Sequence, residues 1–254
     1  MKKYGVFAYY YDALTRNVEY KKQCDYFMQL FEKYHMMPKL IVDLACGTGS
    51  LAFEFARRGI EVIGVDASED MLTVAQQKKN ENHLDVLFLC QKMQQLDLYG
   101  TIDAVVCTLD SINHLLNEKD VQETFRRVSL FLNPGGLFLF DVNTIYKHME
   151  VLGNHTYVYD IDSVFCVWQN ATSAARKVTR IQLDFFERER GDLYRRQSET
   201  FSERAYACED LIVWLQAAEF EVLDIFEEMT FCKPHAKAER LIFIARKKEG
   251  DWKK

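Results

Sequence analysis

The chain has 254 residues, of which 48% are apolar and 28% charged, and its formal net charge is −6. This length and composition indicate one folded domain with an addition and exclude a disordered chain. The acidic balance argues against nucleic acid as a partner, and no apolar run approaches the roughly 20 residues that span a membrane.

Residues 1–37 are predicted to form a helical cap. Three consecutive tyrosines, Tyr9 to Tyr11, precede Asp12, and Tyr20 follows further along the chain. Their simplest role is to pack a helix on the core. A second interpretation, that Tyr11 covers a bound ligand, stays open.

The segment Ile41–Gly49 is the most informative part of the chain. An apolar strand ends at Asp43 and runs into a turn that contains Gly47 and Gly49, and a helix is predicted from about Ser50. The glycines permit a sharp turn and let a ligand approach the backbone near free amide groups. A second strand ends at Asp66, about 20 residues beyond Gly47, where a doubly wound sheet presents an acid to ribose hydroxyls. The pattern predicts an adenosine-containing cofactor.

The turn also discriminates between cofactors. A dinucleotide fingerprint needs a third glycine, whereas Ser50 and Ala52 stand where it is expected. A carboxylate at Asp43 would repel a diphosphate and attract an ammonium group. A nicotinamide-dependent oxidoreductase is therefore the weaker alternative, and a cofactor with a positively charged amino-acid end is favoured.

With this turn and acid, the sequence resembles the class I S-adenosylmethionine-dependent methyltransferases. Ala45 replaces the first glycine of their motif, a mild departure if the turn needs no positive φ there. The resemblance implies S-adenosyl-L-methionine as cofactor and S-adenosyl-L-homocysteine as product. It implies a cofactor site formed by Tyr11, Asp43, Ala45, Cys46, Gly47, Gly49, Asp66, Ala67, Met71, Lys92, Met93, Thr108 and Leu109.

Lys92 departs from the family. Family members usually have an aspartate here, which accepts a hydrogen bond from the adenine amino group. A lysine side chain cannot accept one, so that contact is made by the backbone or lost. If it is lost, the chain could be a non-catalytic scaffold or cofactor sensor, an alternative that stays open.

Strand and helix patterns alternate over residues 38–141, whereas four alternating segments between Tyr157 and Phe201 predict antiparallel strands. The family's fold is an α/β, doubly wound, seven-stranded, mostly parallel sheet of the Rossmann-like type, here with an inserted antiparallel β-subdomain. We expect residues 38–150 and 202–254 to form the methyltransferase core. Residues 151–201 would then form a lid on the substrate side.

The acceptor side carries a weaker signal. Asp110, Asn113 and His114 follow the fourth predicted strand, and Asp141 ends the fifth. Asp110-Ser-x-Asn113 resembles an uncharacterised bacterial branch of small-molecule methyltransferases, which implies methyl transfer to a nitrogen or oxygen atom of a small acceptor. Asp110 and Asp141 could instead cap turns, and His114 could be a packing residue or a base. No catalytic residue can be assigned.

Seven cysteines show neither a C-x-x-C pair nor a spacing typical of zinc ligands. Their odd number fits a reducing compartment, so we expect a cytoplasmic protein without a metal, as a monomer or homodimer.

Overall fold

The computed structural model describes residues 5–161 and 164–249. The outer ends of the predicted cap and core, residues 1–4 and 250–254, lie outside this description, as do residues 162 and 163 within the insertion. The described helices are α1 (Gly5–Leu14), α2 (Tyr20–Lys33), α3 (Ser50–Ala56), α4 (Glu69–Asn82), α5 (Glu118–Phe131) and α6 (Cys208–Ala217). None of them is long and apolar enough to cross a membrane.

The strands of the described chain form two separate sheets. The larger sheet has the order β10-β11-β5-β4-β1-β2-β3, and the smaller has the order β6-β7-β8-β9. The strands are β1 (Leu40–Leu44), β2 (Glu61–Asp66), β3 (Val86–Cys90), β4 (Ile102–Cys107), β5 (Leu132–Asn143), β6 (Thr156–Ile161), β7 (Val164–Ser173), β8 (Val178–Arg190), β9 (Leu193–Arg204), β10 (Phe220–Glu227) and β11 (Arg240–Lys247).

The predicted fold class is confirmed. Strands β1 to β5 pair in parallel, while β11 pairs antiparallel with both β5 and β10. The smaller sheet is antiparallel throughout and lies in sequence between β5 and α6. Parallel strands present their carboxyl ends at one edge, so the residues that follow β1, β2 and β4 meet there.

Strand β5 begins earlier than the predicted Leu137. Leu132 already pairs with Ile102, and the register then shifts so that Leu137 pairs with Ala104. The Asn-Pro-Gly-Gly segment therefore lies within the strand as an irregular stretch instead of preceding it. Gly136 is required there, because a Cβ atom would lie 2.7 Å from the carbonyl oxygen of Asp103.

Helix α1 bridges the two sheets. Its Phe7 amide donates to Glu199 of β9, and its Tyr10 hydroxyl donates to Glu187 of β8, both at 2.7 Å. Phe7 and Tyr10 share an apolar cluster with the inner face of the smaller sheet. The other side of α1 approaches the turn after β1, so this helix places the smaller sheet beside that edge of the larger one.

Candidate functional site

The turn after β1 has the left-handed backbone that close ligand approach requires. Gly47 and Gly49 have φ values of 54° and 76°. At Gly49 a Cβ atom would lie 2.9 Å from the Phe88 ring, so only glycine fits. Ala45 also has a positive φ of 62°, so the turn does need this conformation and the substitution is not mild. An L-residue held there costs about 1–2 kcal/mol.

Asp43, the last polar residue of β1, is almost fully buried at 1% exposure. Burial, followed by the nearby charge of Asp66, raises the pKa of its carboxyl to about 7, although the Ala52 amide partly opposes the shift. Its Oδ2 atom has no hydrogen-bond partner among the described residues. A buried acceptor without a donor is costly, and a cationic ammonium group would satisfy it.

Asp66 lies at the end of the neighbouring strand β2. Its two carboxyl oxygens accept hydrogen bonds from the Gly47 amide at 2.9 Å and from the Ser68 amide at 2.8 Å. Burial raises the pKa of Asp66, while these amides oppose the shift. Each carboxylate oxygen can accept a second hydrogen bond, so two ribose hydroxyls can still bind. The amides fix the carboxylate beside the turn.

A cleft opens over this turn. Its walls come from the turn itself, from α1 and α2, and from the segment after β4. The lining residues are Tyr11, Tyr20, Asp43, Ala45, Cys46, Thr48, Ser50, Leu51, Thr108, Leu109 and Ser111. Six of the thirteen predicted cofactor residues therefore line a common space: Tyr11, Asp43, Ala45, Cys46, Thr108 and Leu109. Gly47 lies next to them in the turn, where a Cβ atom would lie 3.9 Å from the Tyr11 ring.

An ion-paired contact fastens α1 over the turn. Asp12 accepts a hydrogen bond from Thr48 at 2.6 Å and pairs with Lys78 of α4 at 2.8 Å. Lys78 also donates to Ser50 at 2.8 Å. These contacts hold the neighbouring Tyr11 ring above the cleft, a role that the sequence pattern suggested for Tyr11 but not for Lys78.

The predicted adenine-side residues lie further along the same edge. Met71 is buried in the cluster with Phe7 and Tyr10, and Ala67 is exposed. Met93 is half-buried, with its sulfur 3.8 Å from that of Cys107. Lys92 is exposed and has an extended backbone before a short 3₁₀ turn. None of these four residues contributes to the lining of the cleft over the turn.

The segment after β4 is held in a strained turn. Leu109 and Asp110 both have positive φ values, 55° and 53°. Their amides donate to Asp141, at 2.8 and 2.6 Å, and Asp141 also accepts from Arg240 at 2.7 Å. A second Arg240 nitrogen lies 2.7 Å from Asp110. Asp141 is fully buried and uses its oxygens on the protein, so it supports this turn.

Asn113 connects the two sheets. Its amide nitrogen donates to the carbonyl oxygens of Asn143 at 3.2 Å and Arg204 at 2.9 Å, and its oxygen accepts from the Asn143 amide at 2.9 Å. The residue is fully buried. Its polar atoms are thus used within the protein, and it brings the end of β9 beside the turn that carries Asp110.

Sequence reasoning missed a buried polar cluster beside that turn. Glu203 of β9 lies 3.7 Å from His114 Nε2 and 3.8 Å from His148 Nε2. In the described chain, Asp110, His114 and Glu203 place their polar atoms within 4.8 Å of one another. Glu203 and His148 lie far from Asp110 in sequence and belong to no local motif. Their closeness to Asp110 therefore becomes visible only in the folded protein.

The residues present fit the predicted cofactor. The Asp43 carboxyl oxygen that has no hydrogen-bond partner can bind the ammonium group of the cofactor. Asp66, which is held by backbone amides, can still accept hydrogen bonds from the ribose hydroxyls. Asp43 lines the cleft, and Asp66 is held at the same turn by the Gly47 amide. A dinucleotide would place its diphosphate, whose oxygens only accept hydrogen bonds, against the Asp43 oxygen that lacks a donor.

Comparisons with known proteins agree with this geometry. Residues 41–136 match the family model described as a methyltransferase domain. YqeM of Bacillus subtilis strain 168, named as a methyltransferase, is 34% identical over 96% of this chain and 97% of its own.

Solved structures give the same result. An S-adenosylmethionine-dependent methyltransferase from Clostridium acetobutylicum is 32% identical, with a TM-score of 0.87 over 96% of this chain and 98% of its own. A sugar N-methyltransferase from Streptoalloteichus shares the fold, with a TM-score of 0.76 at 18% identity over 94% of this chain and 93% of its own. The chain therefore belongs to the S-adenosylmethionine-dependent methyltransferases.

Proposed function

We propose that the protein transfers the methyl group of S-adenosylmethionine to a nitrogen or oxygen atom of a small molecule by in-line displacement. The observation that carries this proposal is the buried carboxyl group of Asp43. One of its oxygens has no hydrogen-bond partner among the described residues, and Asp43 lines the cleft over the turn after β1. In this assignment Asp43 binds the amino-acid end of the cofactor. Asp66 binds its ribose, and Ala67, Met71, Lys92 and Met93 lie on its adenine side.

The acceptor enters, in this proposal, between the larger sheet and the smaller one. In this proposal Asp110 and His114 contact the acceptor, while Asn113 and Asp141, whose polar atoms bond within the protein, support the turn that carries them. The inserted residues 151–201 would form the lid. The bound cofactor supplies an activated methyl group, so the protein mainly positions the acceptor behind it. Such positioning contributes about 7–11 kcal/mol at its upper limit.

Other features of the chain support this setting. All seven cysteines are free thiols, which fits the reducing cytoplasm. The sugar N-methyltransferase that shares the fold acts on a small molecule according to its name.

The test has two parts. Calorimetric titration should give one site for S-adenosylmethionine or S-adenosylhomocysteine and none for NAD⁺. The protein should then form S-adenosylhomocysteine when given S-adenosylmethionine and the low-molecular-mass fraction of a bacterial cell extract, and not without that fraction. Tight cofactor binding without any such turnover would favour a scaffold or sensor, and binding of NAD⁺ alone would overturn the proposal.

A further inference from the structure

The buried cluster around Glu203 contains a carboxyl group whose hydrogen-bonding capacity is not fully used. Glu203 is 3% exposed, and its Oε2 atom has no hydrogen-bond partner among the described residues. Burial, followed by the charge of Asp110, raises the pKa of Glu203 well above its usual range. The ionised form of a carboxyl group in this environment is stabilised by a cationic ligand group that donates a hydrogen bond to it.

Three basic residues nearby do not provide that cation by direct contact. Lys147 acts on Glu203 and Asp110 electrostatically, but burial lowers its pKa and, among the described residues, its ammonium group forms no ion pair with either carboxyl. Arg240 is engaged by Asp110 and Asp141, at 2.7 Å from each. His148 is fully buried, and burial lowers its pKa to about 4, so it is neutral near pH 7. Its Nδ1 atom lies 2.9 Å from the Thr179 hydroxyl, whereas its Nε2 atom, facing Glu203, has no partner in the described chain.

The cluster also adjoins the cofactor cleft. Asp110, whose carboxylate belongs to the cluster, lies between Leu109 and Ser111, which both line the cleft. The His114 ring stacks on Phe201, with centroids 5.3 Å apart, and Phe201 contacts Phe7 at 5.9 Å. Phe7 in turn contacts Tyr11 of the cleft wall at 5.3 Å. A group held by the cluster would therefore lie beside the cleft, against an aromatic wall.

We propose that Asp110, His114 and Glu203 bind the ammonium group of a primary or secondary amine, and that Glu203 removes the proton this nitrogen must lose before methyl transfer. This inference rests on the proposed function and narrows its acceptor to amines. Burial disfavours the ionised form of Glu203, which a base must have, and a neutral hydroxyl acceptor would not restore it, whereas an ammonium group stabilises the carboxylate.

The proposed step balances in atoms and charge. The ammonium nitrogen gives one proton to the Glu203 carboxylate and gains a free electron pair. That pair forms the new C–N bond as the C–S bond of the cofactor breaks, and its electrons remain on sulfur. The product leaves as a methylated ammonium ion, and Glu203 then releases its proton to water. General-base assistance of this kind typically contributes a factor of about 10²–10⁴.

The experiment follows a labelled methyl group. The protein is incubated with deuteriomethyl S-adenosylmethionine and the same low-molecular-mass extract, and the labelled products are fragmented by mass spectrometry. We expect the label on an amine nitrogen. A label on oxygen or carbon would overturn the amine site while leaving the methyltransferase function intact, whereas no labelled product at all would remove both.

Variants test the role of Glu203 directly. Glu203→Gln keeps the side-chain volume and should lower the labelling rate about 100-fold or more. S-adenosylhomocysteine affinity and thermal unfolding show whether the variant is folded. Glu189→Gln, at an exposed position of β8, is the matched control and should label at the normal rate. A folded Glu203→Gln variant with normal rate would overturn the proposal, as would labelling that EDTA abolishes and Zn²⁺ restores.

Discussion

The two halves of the site are built in different ways. On the cofactor side, Asp43 and Asp66 end two adjacent parallel strands, and a short turn between the first strand and its helix supplies the amides. On the acceptor side, polar groups come from the segment after β4, from residues near His148, from β9 and from β11. Local sequence determines the first half, and tertiary pairing determines the second.

The halves also differ in how their charges are balanced. Arg240 neutralises two carboxylates on the acceptor side, and backbone amides hold Asp66 on the cofactor side. Burial raises the pKa values of Asp43, Asp66 and Glu203, but Asp43 and Glu203, unlike Asp66, each have a buried oxygen without a partner in the described chain. Each half thus keeps one acid that a cationic ligand group can satisfy.

The largest expected effect is on stability and comes from Arg240. Arg240→Met leaves Asp141 buried without its cation, which should lower the free energy of unfolding by about 3–5 kcal/mol. Urea unfolding at neutral pH measures this change. Arg126→Met, which loses only an exposed pair with Glu123, is the control and should change little. Equal stability of the two variants would mean that Arg240 does not hold the acceptor half together.

A smaller effect is expected from Asp66, now on cofactor affinity. Asp66→Ala removes the acceptor for the ribose hydroxyls and should weaken S-adenosylmethionine binding by about 1–3 kcal/mol. Calorimetry measures the affinity, with Asp192→Ala in the exposed β8–β9 turn as control. Unchanged affinity in the Asp66 variant would show that the ribose is held elsewhere.

Asp43 should give the ligand-free protein a pH-dependent stability. Its folded pKa of about 7 exceeds its unfolded value of 3.8, so the folded state binds more protons between these values. Stability should therefore fall as pH rises from 5 through about 7, by about 2–3 kcal/mol. Thermal unfolding from pH 5 to 8.5 should show a smaller decline for Asp43→Asn than for the wild type. Parallel declines would contradict the assigned cause.

The smallest effect concerns backbone strain in the turn after β1. Ala45→Gly relieves a positive φ of 62°, and should stabilise the protein by about 0.5–1 kcal/mol after the greater flexibility of the unfolded chain is included. Ala56→Gly, within α3, is the control and should destabilise it. Chemical denaturation distinguishes the two signs, and destabilisation by Ala45→Gly would disprove the strain.

The sequence predicted the sheet, the inserted strands and the two acids because each depends on short-range patterns. Strand periodicity and the glycine turn place Asp43 and Asp66 without knowledge of the rest of the chain. It did not predict the positive φ of Ala45, since nothing in the residue type indicates one. Nor did it predict Arg240, His148 or Glu203, whose roles arise only when distant strands pack around Asp110.

A crystal structure with S-adenosylhomocysteine tests the central claim most directly. We predict that its amino group lies beside the Asp43 carboxylate and that its ribose hydroxyls donate to Asp66, with the nucleoside beneath Tyr11. A complex with the ligand bound elsewhere, or with both carboxylates out of hydrogen-bonding reach of it, would contradict the account.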